Sequence, residues 1–244
     1  MKNRKSISQE EFEKIMQEHK KFINGEGGKQ ADLSNLDLRE LKIKYVDFSK
    51  AILKNVDLSR MNLENSRFLE SDMENADLEL CNLVGAWFCK SNLKSANLSG
   101  SDLEASSFEK ADLEGAKLSH SNLKDAELMG ANFKNSSLLR ANLIGADLTD
   151  ANLCGADLRR TNTQDIVGKT VISTQINIFN GNYNISYWLD LDTWTMTWQQ
   201  LDAEDLEDSL KFSAFKNDGE KKRYLRAIEF IKAEAEDIRK EMQN

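Results

Sequence analysis

The chain is 244 residues long and acidic, with 41 Asp and Glu against 33 Lys and Arg for a net charge of −8, 12 Gly and no Pro. No apolar run approaches the roughly 20 residues of a membrane-spanning helix, and the basic opening Met1–Gln9 has no apolar stretch behind it to serve as a signal peptide. A soluble cytoplasmic protein is expected, and the odd set Cys81, Cys89 and Cys154, at spacings that suit neither zinc nor a disulfide framework, predicts reduced thiols and no metal or other cofactor.

Residues 1–30 read as a capping helix. Phe12, Ile15, Met16, His19, Phe22 and Ile23 recur at helical spacing, with Ser8 or Gln9 near the start and Gly25, Gly27 and Gly28 ending the run.

From Leu33 to Leu158 every fifth residue is large and apolar, 26 repeats without an insertion, and the series ends at Thr163. Two residues before each centre runs a second series, and from Ser66 to Ala156 all of its members are Ala, Ser or Cys. A period of five matches neither a helix nor a strand, so the pattern predicts a solenoid over 31–160. Phe48, Phe68, Phe88 and Phe108 occupy every fourth centre. If four repeats close one coil, those rings pile on a single wall; with three they scatter and the spacing has no packing reason. One large and one small inward residue per side suit a narrow four-sided tube with no room for a ligand. Leu36, Leu41, Val46, Val56 and Met61 replace the small residues of the first coils, which predicts a greasier mouth for the helix to cover.

The run Ala141–Leu158, ANLIGADLTDANLCGADL, resembles the pentapeptide-repeat proteins. That resemblance implies a mainly β fold, a right-handed quadrilateral β-helix with the central residue and the one two before it pointing inward. The layout as a whole resembles uncharacterised bacterial and phage members of that family. Some members mimic duplex DNA and bind DNA gyrase, which makes a type II topoisomerase an alternative partner. Asp37, Asp57 and Asp77 stack on one edge and are the candidate acidic ridge. Residues 31–160 carry 21 acidic and 16 basic residues, a modest excess for a DNA mimic, and no loop interrupts the coils.

Residues 161–244 read as a separate α+β module. Runs over 170–179 and 183–189 flank Asn180-Gly181, a hairpin signal, and 193–198 alternates like a third strand. Residues 201–211 and 221–242 read as helices, the second with an apolar stripe of Tyr224, Leu225, Ile228, Ile231, Ala235 and Ile238 that packs on its own module or on a second copy.

Catalytic chemistry has little to work with: His19 lies on an apolar helix face, His120 in an outward slot, and no phosphate loop, nucleophile elbow or metal-spaced group is present. A non-enzymatic scaffold is expected. The acidic tower disfavours nucleic acid, against which Lys221, Lys222, Arg223 and Arg226 make only a small basic cluster, and nothing favours a membrane. Outward Leu69, Leu80, Val84, Trp87 and Cys89 are expected to crowd the second and third coils, a patch for a protein partner or a second copy, unless another part of the chain covers it. A purely structural role without a tight partner is the remaining alternative.

Overall fold

The computed structural model describes residues 4–169, 171–178, 181–188, 193–196, 200–202 and 218–242. They form two compact units, Met1–Asp157 with Thr161–Gly168, and Leu158–Arg160 with Lys169–Asn244. No helix among the described residues is long and apolar enough to cross a membrane.

The first unit is a coil that closes every four repeats. Parallel bridges join the residue before a centre to its counterpart four repeats on, from Asp32↔Ile52 through Arg67↔Trp87 to Asp147↔Val167. Each bridge is carried by backbone hydrogen bonds in both directions: Phe68 N–H donates to the Trp87 carbonyl at 2.7 Å, and Trp87 N–H to the Ser66 carbonyl at 3.0 Å. Four sides therefore close one coil, as the Phe spacing requires.

Each position of the repeat has a physical reason. The centres from Leu33 to Leu153 are all buried, the most exposed being Ile43 at 6%. Each contributes about 1.5–3 kcal/mol of burial before ordering entropy is subtracted. Most inward Ser hydroxyls find a carbonyl, as Ser71 Oγ donates to Phe68 O at 2.8 Å and Ser91 Oγ to Phe88 O at 2.7 Å, whereas those of Ser66 and Ser136 are buried without a partner. Asp or Asn precedes the centre because its side chain accepts the N–H two residues on, as Asp47 does from Ser49 at 2.9 Å. The corner residue that ends each side is left-handed, for example Asn55 at φ 56° and Lys90 at φ 57°, which explains the Asn and Gly enrichment there.

Phe48, Phe68, Phe88 and Phe108 form one pile, with successive ring centroids 5.5, 4.8 and 4.7 Å apart. At the mouth, Leu36, Leu41 and Val46 are only half-buried, whereas Val56 and Met61 are buried. The greasy replacement therefore belongs to the core only from the second coil onward. Beyond Leu158 the backbone keeps the coil after the sequence motif has ended, with bridges Asn142↔Asn162 and Asp147↔Val167.

Helix α1, Gln9–Ile23, begins at Ser8, whose Oγ accepts from Glu11 N–H at 3.1 Å, and carries Glu10 and Glu11 in its first turn and Lys20 and Lys21 in its last. Gly28, at φ 80°, admits no side chain, because a Cβ there would meet the Glu18 carbonyl and the Lys21 Cβ. Phe12 meets Phe48 edge-on at 6.2 Å, continuing the aromatic pile into the helix. Strand β1, Lys5–Ser6, pairs in parallel with strand β2, Leu36–Asp37. Beside it the Gln9 side chain accepts from Lys42 N–H at 3.0 Å and donates to Lys42 O at 3.5 Å. Together they occupy hydrogen-bonding positions that a preceding coil would fill.

The second unit holds an antiparallel sheet in the order β3 (Val171–Ile178), β4 (Gly181–Trp188), β5 (Thr193–Met196) and β6 (Gln200–Asp202). The hairpin pairing closes at Ile178↔Gly181, so Gly181 is the first paired residue of β4 and the connection is 179–180, one position earlier than Asn180-Gly181 predicts; those two residues lie outside the described ones, as do 170, 189 and 197–198 of the predicted runs. Leu201 and Asp202 begin no helix: they pair with Trp194 and Thr193, because the second edge of β5 takes a strand partner. The rest of the predicted helix 201–211 lies outside the described residues. Helix α2, Asp218–Met242, packs on β3 and β4 with Ala227, Ile228, Ile231 and Ala235 buried. The centre of the apolar stripe is thus covered within its own module, Leu225 is half-buried, and the side chains of Tyr224 and Ile238 lie outside the description.

Candidate interaction surface

Because the coil closes every four repeats, outward side chains stand in columns along four sides. Most columns are self-satisfied. On the side centred on Leu53 and Met73, Asn92 Nδ2 donates to Asp72 at 2.9 Å and Asn132 Nδ2 to Asp112 at 3.0 Å. Beside them Lys54 reaches Glu74 at 3.0 Å and Asp72 at 3.2 Å, and the Glu74 hydrogen bond holds the ammonium above its ordinary pKa. On the side centred on Leu103 and Leu123, Lys124 pairs with Glu104 at 2.9 Å, a hydrogen bond that pushes the lysine up to about 12 and the carboxyl below its usual range. These exposed ladders favour register and solubility over recognition.

The Phe side differs. Outside Phe88 stands Trp87, 51% exposed, with the Arg67 guanidinium 5.8 Å from its ring centroid. Arg67 is steadied from the coil before by Asp47 at 3.9 Å. Leu69 and Cys89 lie on the same side, half-buried, and the Cys89 thiol lies 3.2 Å from the Ser107 hydroxyl. Val84 sits just before the corner leading into this side. Leu80, 45% exposed, lies at the corner before that, a full side of the coil away from Trp87. The register thus brings Leu69, Trp87 and Cys89 together with Val84 at their margin, and sets Leu80 apart from them. Tyr45, 72% exposed at a left-handed corner, is a further surface aromatic that the sequence pattern does not single out.

The acidic ridge is not bare. Arg4 Nε donates to the Asn55 carbonyl at 2.7 Å, and its Nη1 lies 2.7 Å from Asp57 and 3.9 Å from Asp77. Arg39 makes 2.6 Å and 3.6 Å contacts to Asp37 and Asp57, and its hydrogen bond holds the Asp37 carboxyl below the ordinary aspartate range. Asn97 Nδ2 donates to Asp77 at 3.3 Å. Two guanidinium groups thus sit among three carboxylates, and Asp57 is buried. The three aspartates do stack on one edge, bridged Asp37↔Asp57 and Asp57↔Asp77, with their charge partly offset by these guanidinium groups. Sequence reading missed Arg4 because nothing periodic links it to a residue 53 positions away; the basic opening of an acidic chain is the available hint.

Neither histidine stands in a reactive setting: His19 is buried on the inner face of α1 and His120 occupies an exposed left-handed corner. No group of three His, Cys, Asp or Glu able to hold a metal occurs among the described residues. Cys81 is buried, its thiol donates to Leu58 O at 3.0 Å, and burial pushes its pKa up to about 12.

Residues 41–118 match the model of a pentapeptide repeat region and residues 126–162 the model of pentapeptide repeats in eight copies. Among solved structures, HetL, a pentapeptide repeat protein involved in heterocyst differentiation regulation in the cyanobacterium Nostoc, is 26% identical over 57% of this chain and 80% of its own, with TM-score 0.25. A second Nostoc pentapeptide repeat protein, alr5209, is 30% identical over 39% of this chain and 74% of its own, with TM-score 0.23. QnrB1, a plasmid-mediated fluoroquinolone resistance protein, in a trypsin-treated form, is 25% identical over 56% of this chain and 76% of its own, with TM-score 0.30. No curated protein matches the chain.

Proposed function

The chain belongs to the pentapeptide-repeat family, and from that premise we propose that it is a non-catalytic scaffold whose Trp87 side receives a protein partner. The family fold is the right-handed quadrilateral β-helix, here with 26 repeats from Leu33 to Leu158, closed at its N-terminal end by α1 and the arm Arg4–Ser6.

The observation that carries this reading is the half-exposed Trp87, with the Arg67 guanidinium over its ring, on the outward face of the Phe wall. An exposed indole is costly in water and frequent at the energetic centre of interfaces. The wall behind it is fixed by the backbone bonds of Trp87 to Ser66 and of Phe68 and Phe88 to their neighbours, so a partner meets a surface already ordered and little conformational freedom is lost on binding. The occupant is another protein or a second copy of this chain.

Comparing Trp87→Lys with Ser99→Lys, on the opposite side of the coil, tests the reading. Affinity capture from the source cells, with light scattering of the purified variants, should show the first losing a partner or a dimer that the second retains. Identical partners and masses for both variants would remove the Trp87 side from consideration.

The charge pattern of the ridge weighs against the gyrase alternative. Although the fluoroquinolone resistance protein QnrB1 is similar to this chain, DNA mimicry needs an unpaired anionic edge, and here Arg4 and Arg39 stand among Asp37, Asp57 and Asp77. A supercoiling assay at micromolar protein should show neither inhibition nor protection from a quinolone.

A further inference from the structure

We propose that His19 is a proton-operated latch that holds α1 on the mouth of the coil at neutral pH and releases it in mild acid. The imidazole has no exposed surface and stacks on Phe22, ring centroids 5.9 Å apart. Ala31 N–H donates to Nδ1 at 3.1 Å, so Nδ1 is the bare nitrogen and the single ring proton sits on Nε2. Nε2 is buried, faces the backbone of Ser49 and completes no hydrogen bond; the Ser49 hydroxyl is likewise buried and unpartnered.

A second proton has only Nδ1 to go to. There it points at the Ala31 N–H, donor against donor, and sets a full charge where no water reaches. The protonated ring is therefore disfavoured in the docked position. The other buried anchor of α1 is Phe12 on Phe48, so losing His19 leaves the helix held by that contact and by Gln9 on Lys42, and its departure uncovers the end of the Phe pile.

The charged groups around the ring do not rescue it. From the coil, Asp47 favours the protonated form, but its carboxylate is already engaged with Ser49 N–H at 2.9 Å and lies 3.9 Å from Arg67. On α1 itself, Glu18 is paired with Lys21 at 2.6 Å and Lys20 is exposed. Burial outweighs the Ser49 backbone and Asp47, both of which favour the charged form, and keeps the docked imidazole below the ordinary histidine value of 6.5.

Once released, the ring meets water and titrates near 6.5. Between that value and the lower docked value the released state binds more protons than the docked one. Docking is thus nearly independent of pH about a unit above 6.5, is about twofold weaker at 6.5, and weakens by up to about tenfold per pH unit below it, until the docked value is reached.

Amide hydrogen exchange of residues 9–31 at pH 7.5, 6.5 and 5.5, corrected for intrinsic exchange, tests the latch on the full chain. The expected result is opening that rises by up to about twofold from pH 7.5 to 6.5 and by up to about tenfold from pH 7.5 to 5.5, with residues 93–153 unchanged. His19→Gln, whose side-chain oxygen can accept from Ala31 N–H, should abolish the response. Equal opening at pH 7.5 and 5.5, or an acid response retained by H19Q, overturns the proposal. Should H19Q fail to fold, nuclear magnetic resonance of the wild-type imidazole decides: an Nε2–H tautomer titrating below 6.5 supports the latch, and an Nδ1–H tautomer or a titration at or above 6.5 refutes it.

Discussion

Phe68 and Phe88 lie face to face with ring centroids 4.8 Å apart and planes within 4° of parallel, although a whole turn of the coil separates them along the chain. That distance is the spacing of neighbouring strands, so each ring is stacked by the coil pitch itself rather than by a local turn. Phe88 has an aromatic neighbour on both sides and is fully buried. Replacing it with Ala empties one layer of the pile in a tube whose backbone ladder resists collapse. Urea unfolding should show a loss of about 3–5 kcal/mol for Phe88→Ala.

The arm contributes through Arg4. Its guanidinium is largely buried, with a backbone carbonyl and the buried Asp57 as partners. Arg4→Ala leaves Asp57 with Ser59 and the more distant Arg39, and removes the side-chain anchor that holds β1 on β2. A loss of about 1–3 kcal/mol is expected, accompanied by faster amide exchange at Leu36 and Asp37. Unchanged exchange there would show that β1 holds without Arg4.

The corners make a different prediction. Lys90 sits in the left-handed region at φ 57° with its side chain exposed. A β-branched residue crowds its own backbone there, so Lys90→Val should cost about 1–2 kcal/mol while Lys90→Gly stays near neutral. Thermal unfolding of the pair measures the difference.

Thiol reactivity should follow burial. Cys154 is exposed, Cys89 is half-buried beside Ser107, and Cys81 is buried with its pKa pushed up to about 12. Since the thiolate is the reacting form, a disulfide reagent at pH 8 should label Cys154 first, Cys89 more slowly, and Cys81 only after unfolding.

Much of this architecture was legible in the sequence because a period of five maps directly onto columns: knowing that Phe48, Phe68, Phe88 and Phe108 share a phase places every side chain between them. The α1 stripe was legible for the same reason, as a helical period. What escaped the reading has no period. Arg4 reaches Asp57 through a short arm whose strand Lys5–Ser6 carries no pattern, and the ridge looked anionic because its counter-ions come partly from outside the repeats. Leu80 looked adjacent to Trp87 because both are outward and close in sequence, but one occupies a corner and the other a side beyond the next corner. The backbone of the coil continues to Val167 because a ladder already running offers hydrogen-bond partners that do not depend on the identity of the side chains.

Every column, ridge and patch follows from a coil of four repeats, and engineered cross-links test that pitch directly. In a Cys81→Ser, Cys154→Ser background, Glu109→Cys places a thiol one coil from Cys89 in the same outward slot, at a backbone separation of about 4.8 Å that a disulfide spans. Glu104→Cys places it three repeats from Cys89, where a three-sided coil would bring it into register. The four-sided coil predicts rapid oxidative closure of 89 to 109 and none of 89 to 104, and closure of 89 to 104 in preference to 89 to 109 would contradict it.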